Sequence, residues 1–171
     1  MKSINNMKRN YFTASVLVLV LIVVLAIMPA KGKTAAMQAP DEVVRQFYKH
    51  DSAIVVRGTI DDDKRIKNYF DKSLGDLILA DHHADESNQI SFDPIADTNG
   101  NPAWTNLQIG AAKFAGDAAT VVVTFTLKES GFKKKITYSL HKTSQGWRIS
   151  DLATNEWDLK RTLKDLHPAG K

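Results

Sequence analysis

The residues best equipped for chemistry sit together in Ala80-Asp81-His82-His83-Ala84-Asp85-Glu86, where two imidazoles lie among three carboxylates. Such a set can ligate a divalent metal or relay a proton. Helix geometry decides which members are usable. At about 100° per residue, the apolar stripe Ile66, Phe70, Leu74 and Leu77 continues to Asp81. Asp85 falls close beside that stripe, His82 at its edge and His83 opposite. A helix that persists this far points Asp81 into the interior, where an unpaired carboxyl has a raised pKa suited to acid–base work or to gripping a cation. The simpler expectation is that the helix ends at Ala80 and all five polar residues are solvated.

Other motifs are weaker. Asp-His-His also occurs in manganese-dependent phosphoesterases, but that chemistry needs further aspartate- and histidine-bearing motifs over a longer domain, and the chain supplies none. Asp97-Thr98-Asn99-Gly100-Asn101 imitates the start of a calcium loop. Its glycine falls too early, Pro102 takes the glycine's place, and Gln108 stands where a bidentate glutamate belongs, so a turn is expected. There is no Gly-x-Ser-x-Gly elbow, no glycine-rich phosphate loop and no cysteine. No cofactor and no metal are expected. His141 shares a strand face with Thr137 and Ser139 and reads as a surface residue. His50 and His167 fall near helix C-termini, where positive charge is favourable. Lys133-Lys134-Lys135 reads as a solvated edge that discourages strand addition.

The chain of 171 residues has room for one ordinary domain, and 43% hydrophobic with 25% charged residues is a globular composition. Its charge is unevenly placed. Lys2, Lys8, Arg9, Lys31 and Lys33 lie in residues 1–36, which contain no acid; residues 37–171 carry 18 basic and 19 acidic side chains. The net positive charge therefore belongs to the N-terminal segment and gives no support to nucleic-acid binding. Asn10 to Ala30 is uncharged, and Val16 to Met28 is apolar throughout, behind three basic residues. That is the layout of an export signal or of a single membrane anchor. Residues 1–36 are thus expected to send 37–171 to the periplasm, either anchored in the inner membrane by residues 10–30 or released after cleavage.

The elements follow from periodicity. Pro40-Asp41-Glu42 opens a helix whose apolar face is Val43, Val44, Phe47 and Tyr48 and whose end is near Ser52. Asp61-Asp62-Asp63 offers caps for a second helix through Ala80 or a little beyond, with Gly75 a point where it can break. A turn-rich loop follows Glu86, then a short strand at Leu107 and Ile109 and a turn at Ala115-Gly116-Asp117. Val121 to Leu127, Ile136 to Leu140 and Trp147 to Ser150 alternate with period two and form a meander. Leu159, Leu163 and Leu166 mark a final helix before Pro168. Trp147 is expected in the core; Trp104 and Trp157 are the tryptophans that could stand at a surface, although core packing is expected for each. Helices first and meander second make an α+β fold.

In that order of elements, Pro40-Asp41-Glu42-Val43-Val44-Arg45-Gln46-Phe47-Tyr48, Phe92-Asp93-Pro94-Ile95-Ala96-Asp97 and Gly146-Trp147-Arg148-Ile149-Ser150-Asp151-Leu152 carry a resemblance. The chain resembles the nuclear-transport-factor-2-like fold, a cone of N-terminal helices packed on a curved antiparallel sheet. More narrowly it is similar to the bacterial exported proteins grouped as domain-of-unknown-function family 3828. The resemblance brings no assigned reaction. It implies first a non-catalytic module that binds another envelope protein in an accessory or immunity-type role. It leaves open a small-ligand carrier with Tyr48, Asp81, Asp85 and Trp147 near its lining. It also leaves open an isomerase- or hydrolase-type enzyme with Asp81 as base and Tyr48 or His82 as proton partner. A homodimer through the sheet is a further expectation of the fold.

Overall fold

A computed structural model of the chain describes residues 37–51, 63–85, 87, 89–99 and 103–168. The expectations placed on residues 1–36, Ser52, Asp61-Asp62, Glu86 and Gly100-Asn101-Pro102 lie outside them.

Five strands form one antiparallel sheet: β1 (Trp104–Ile109), β2 (Lys113–Ala115), β3 (Ala118–Leu127), β4 (Lys133–Thr143) and β5 (Gly146–Ala153). Their order is β1-β3-β4-β5, and β2 also pairs with β3. β1 and β2 thus run end to end along one side of β3, with the Gly110 N–H donating to the Val122 carbonyl between them at 2.9 Å. The period-two reading of β3, β4 and β5 is correct: Val121, Val123, Phe125, Ile136, Tyr138, Leu140, Trp147 and Ile149 are buried on one face. Between Ser139 and Leu140 the register shifts by one residue opposite Ser150. The extra residue lets both Ile149 and Leu152, an odd three positions apart, reach the core, and it bends the strand. Gly146, at φ 109°, makes the β4–β5 turn in a conformation that costs other residues a steric penalty.

Helices cover the buried face. α1 (Pro40–Gln46) starts at a proline with Asp41 and Glu42 in its first turn and runs into a π-helical turn over Phe47–Asp51. The expected second helix is two, α2 (Asp63–Tyr69) and α3 (Lys72–His82). The break falls at Phe70-Asp71, not at Gly75. Phe70 forms a parallel bridge with Ile149, and the Asp71 N–H donates to the Ile149 carbonyl at 2.8 Å. Pairing with β5 outweighs continued helix at those two residues. Asp71 then caps α3, its carboxylate accepting the Leu74 N–H at 2.7 Å. α4 (Leu159–Leu166) is capped in the same way by Asp158, and its Leu159 and Leu163 complete the core.

The result is an α+β domain with an open antiparallel sheet and helices packed on one face. Among the described residues no helix is long and apolar enough to cross a membrane.

Candidate functional site

Between the helices and the sheet, the space is filled by aromatic rings. Phe47 meets Tyr48, Tyr69, Phe70 and Tyr138 edge-on or tilted, and Tyr48 meets Trp104 and Tyr138, all with centroids between 5.3 and 6.4 Å. The Tyr138 hydroxyl donates to the Tyr48 hydroxyl at 3.0 Å, and Tyr48 donates onward to the Ile95 carbonyl at 3.4 Å. Burial pushes both phenols well above their usual range. They stay neutral at any physiological pH. Tyr48 is therefore a buried donor already committed to a backbone carbonyl.

Asp81 corrects the simpler expectation. α3 runs to His82 rather than ending at Ala80, and Asp81 is 4% exposed. The residue does point inward, as the helical stripe allows. Its Oδ1 accepts the Ile90 N–H at 3.1 Å and lies 2.8 Å from His167 Nε2, just beyond α4. A carboxylate with those two partners is a structural clasp. His82 is half-buried, while His83 and Asp85 are exposed, so the described members of that polar group divide between interior and solvent. Among the described residues no group of three or more histidines, cysteines or acids is arranged to hold a metal ion.

The loop between α3 and β1 is held by similar bonds. Asp93 Oδ1 accepts the N–H groups of Ile95 and Ala96, and burial raises its pKa. Asp97, at φ 51°, places one carboxylate oxygen 2.6 Å from Trp157 Nε1 and the other 2.9 Å from Lys134 Nζ. Trp157 also packs on Phe92, and Trp104 on Tyr48 and Phe125. Neither tryptophan stands free as a surface anchor. Trp147 is buried as expected and meets the ring of Phe114 at 5.8 Å. Of the residues selected from sequence, Tyr48 contacts the Ile95 loop and Tyr138, Asp81 contacts Ile90 and His167, and Trp147 contacts Phe114. No hydrogen bond or ring contact joins these three to one another among the described residues.

A different concavity is open. A cleft of about 720 Å³ lies between the α2–α3 junction and the β4–β5 hairpin. Lys67, Asp71 and Lys72 line one wall, and His141, Ser144 and Arg148 the other. Asp71 Oδ2 stands 3.4 Å from His141 Nδ1 and 3.9 Å from Lys160 Nζ. The imidazole is 43% exposed. Serine, histidine and aspartate thus share this cleft, but among the described residues no hydrogen bond joins Ser144 to His141. Asp71 orients the imidazole, and Lys67 and Arg148 line the same cleft. Strand alternation alone makes His141 a plain surface residue. Its partner lies 70 positions earlier, and the Asx-type helix cap at Asp71 was hidden by the unbroken apolar spacing around it.

No protein-family model and no curated protein matches the chain. Among solved structures, a phospholipid-binding protein from Ralstonia solanacearum is similar at 20% identity over 72% of this chain and 69% of that one, with a TM-score of 0.33. A superposition that loose does not establish a common fold.

Proposed function

We propose that residues 37–171 are a non-catalytic binding module of the cell envelope, exported behind residues 1–36, that engages another envelope protein. The module is read as a nuclear-transport-factor-2-like cone of the kind found in domain-of-unknown-function family 3828. One observation carries the non-catalytic reading: the inward-facing groups that could do chemistry are spent on the protein itself. Tyr48 donates to Ile95, and Asp81 is held by Ile90 and His167. Among the described residues no buried side-chain nitrogen or oxygen lacks a partner.

Crosslinked capture of the tagged full-length chain from native membranes tests this reading. One envelope protein enriched over a tagged unrelated control, and lost when Ser144 and Arg148 in the cleft are changed to bulky acidic residues, is the expected result. An eluate without protein, together with a melting temperature raised by small anions, overturns it. That outcome would favour a small-ligand carrier, a reading supported by the cleft's size and by Lys67 and Arg148 in its walls.

A further inference from the structure

Large apolar side chains are exposed at two opposite ends of the sheet. At one end Phe132, 68% exposed, stands singly in the β3–β4 turn. The lysines after it act locally, since Lys133 to Lys135 pair with β3 alone and β5 pairing begins at Thr137. Charged side chains on that unpaired stretch block strand addition, and an isolated exposed phenylalanine needs no partner.

The other end is different. Phe114 on β2 is 63% exposed and lies against Trp147. Met37, 47% exposed, comes within 3.9 Å of the Cβ position at Gly146, the neighbour of Trp147 in the hairpin. Phe114, packed on the buried Trp147, and Met37, beside Gly146, are thus two exposed apolar side chains at this rim of the sheet. Lys142 pairs with Trp147 across β4 and β5, and Lys113 precedes Phe114; both lysines are exposed. Met37 is also where the domain joins the N-terminal segment. Only six residues, Lys31 to Ala36, separate it from the uncharged run ending at Ala30, and a chain of that length spans at most about 25 Å. Lys31 and Lys33 add two positive charges to that tether.

We propose that this rim docks on the bilayer surface, with Phe114 and Met37 entering the headgroup region and the lysines facing anionic lipid. Aromatic and aliphatic tips among lysines are the side-chain chemistry of an interfacial contact. A short tether raises the local concentration of lipid at the rim, so a small patch suffices. The proposal rests on the anchored form of the export reading.

The absence of cysteine from the chain makes the test direct. Phe114→Cys and Phe132→Cys are each labelled with an environment-sensitive fluorophore in the full-length chain, which is reconstituted into phosphatidylethanolamine–phosphatidylglycerol vesicles carrying nitroxide lipid. Intact mass is read on chain taken from native membranes. The expected result is an intact leader, with quenching at position 114 roughly twofold or more above that at 132. Equal or reversed quenching with an intact leader overturns the rim proposal alone. A mass lacking the leader overturns the anchored reading and the rim proposal together. Efficient disulfide crosslinking between two copies of the unlabelled Phe114→Cys chain, without lipid quenching of the labelled one, overturns it in favour of a second copy of this chain.

Discussion

Asp81 Oδ1 and His167 Nε2 lie 2.8 Å apart although 86 positions separate them in the chain. This contact closes the end of α4 onto the end of α3, and the same oxygen fixes the Ile90 N–H of the following loop. Asp81→Ala leaves both partners unsatisfied; a stranded buried group costs about 1–3 kcal/mol. Thermal unfolding followed by circular dichroism is expected to show a melting temperature several degrees lower. His167→Ala should cost less, because Ile90 keeps its acceptor. The double variant should be no worse than Asp81→Ala.

The tyrosine pair gives a sharper test, because its two single changes are unequal. Tyr48→Phe strands the buried Tyr138 hydroxyl and the Ile95 carbonyl, whereas Tyr138→Phe leaves Tyr48 its bond to Ile95. Denaturant unfolding should place Tyr48→Phe about 1–2 kcal/mol below the parent, with Tyr138→Phe closer to it. Removing both hydroxyls should recover part of the Tyr48→Phe loss. A double variant at the full sum of the two would contradict the bond.

Gly75 lies inside α3, and a Cβ there would meet Ile66 Cγ2 at 3.5 Å, an ordinary packing distance. Its φ is not in the left-handed region. Gly75→Ala should therefore stabilise the domain by about 0.5–1 kcal/mol through helix propensity. A shift of the urea midpoint to lower concentration would show that α2 and α3 cannot yield even at ordinary contact distance.

The Asp151 carboxyl is pushed up to about 6, first by burial and then by its hydrogen bond with the Asp158 carboxyl. The Leu152 and Lys160 N–H groups oppose the rise only partly. A carboxyl with a higher pKa folded than unfolded holds its proton more tightly in the folded state. Its contribution to stability is therefore present in acid, below about 4, and is lost as pH rises through about 6. Asp151→Asn keeps an oxygen for both N–H groups. It should gain stability on the parent above pH 7 and lose that advantage near pH 4. Carboxyl-carbon NMR should find Asp151 titrating near 6, and lower in Asp158→Asn.

What the sequence made legible follows the range of the forces involved. The strands β3 to β5 and the start of α1 were readable because alternation, proline and turn residues act within a few positions. β2 was missed because three residues hold it, and their reason for being extended is the neighbouring β3. The break at Phe70 was invisible because Ile66, Phe70 and Leu74 keep helical spacing across it, while its cause, Ile149, lies far along the chain. Asp81 was legible in direction and not in role. Helical phase pointed it inward, but His167 could not be paired with it by spacing. The Asp71–His141 contact at the cleft was hidden in the same way.

The strand-like step at Phe70-Asp71 also bears on the outer edge of the sheet. β5 is an outer strand, and a bare outer strand is a template on which a neighbouring molecule can polymerise. By taking the Ile149 carbonyl with the Asp71 N–H, the chain fills one of those template positions from within. Two residues withdrawn from a helix thus shorten the stretch of β5 open to a neighbour. An interruption of that kind works against strand addition by a second molecule along this flank.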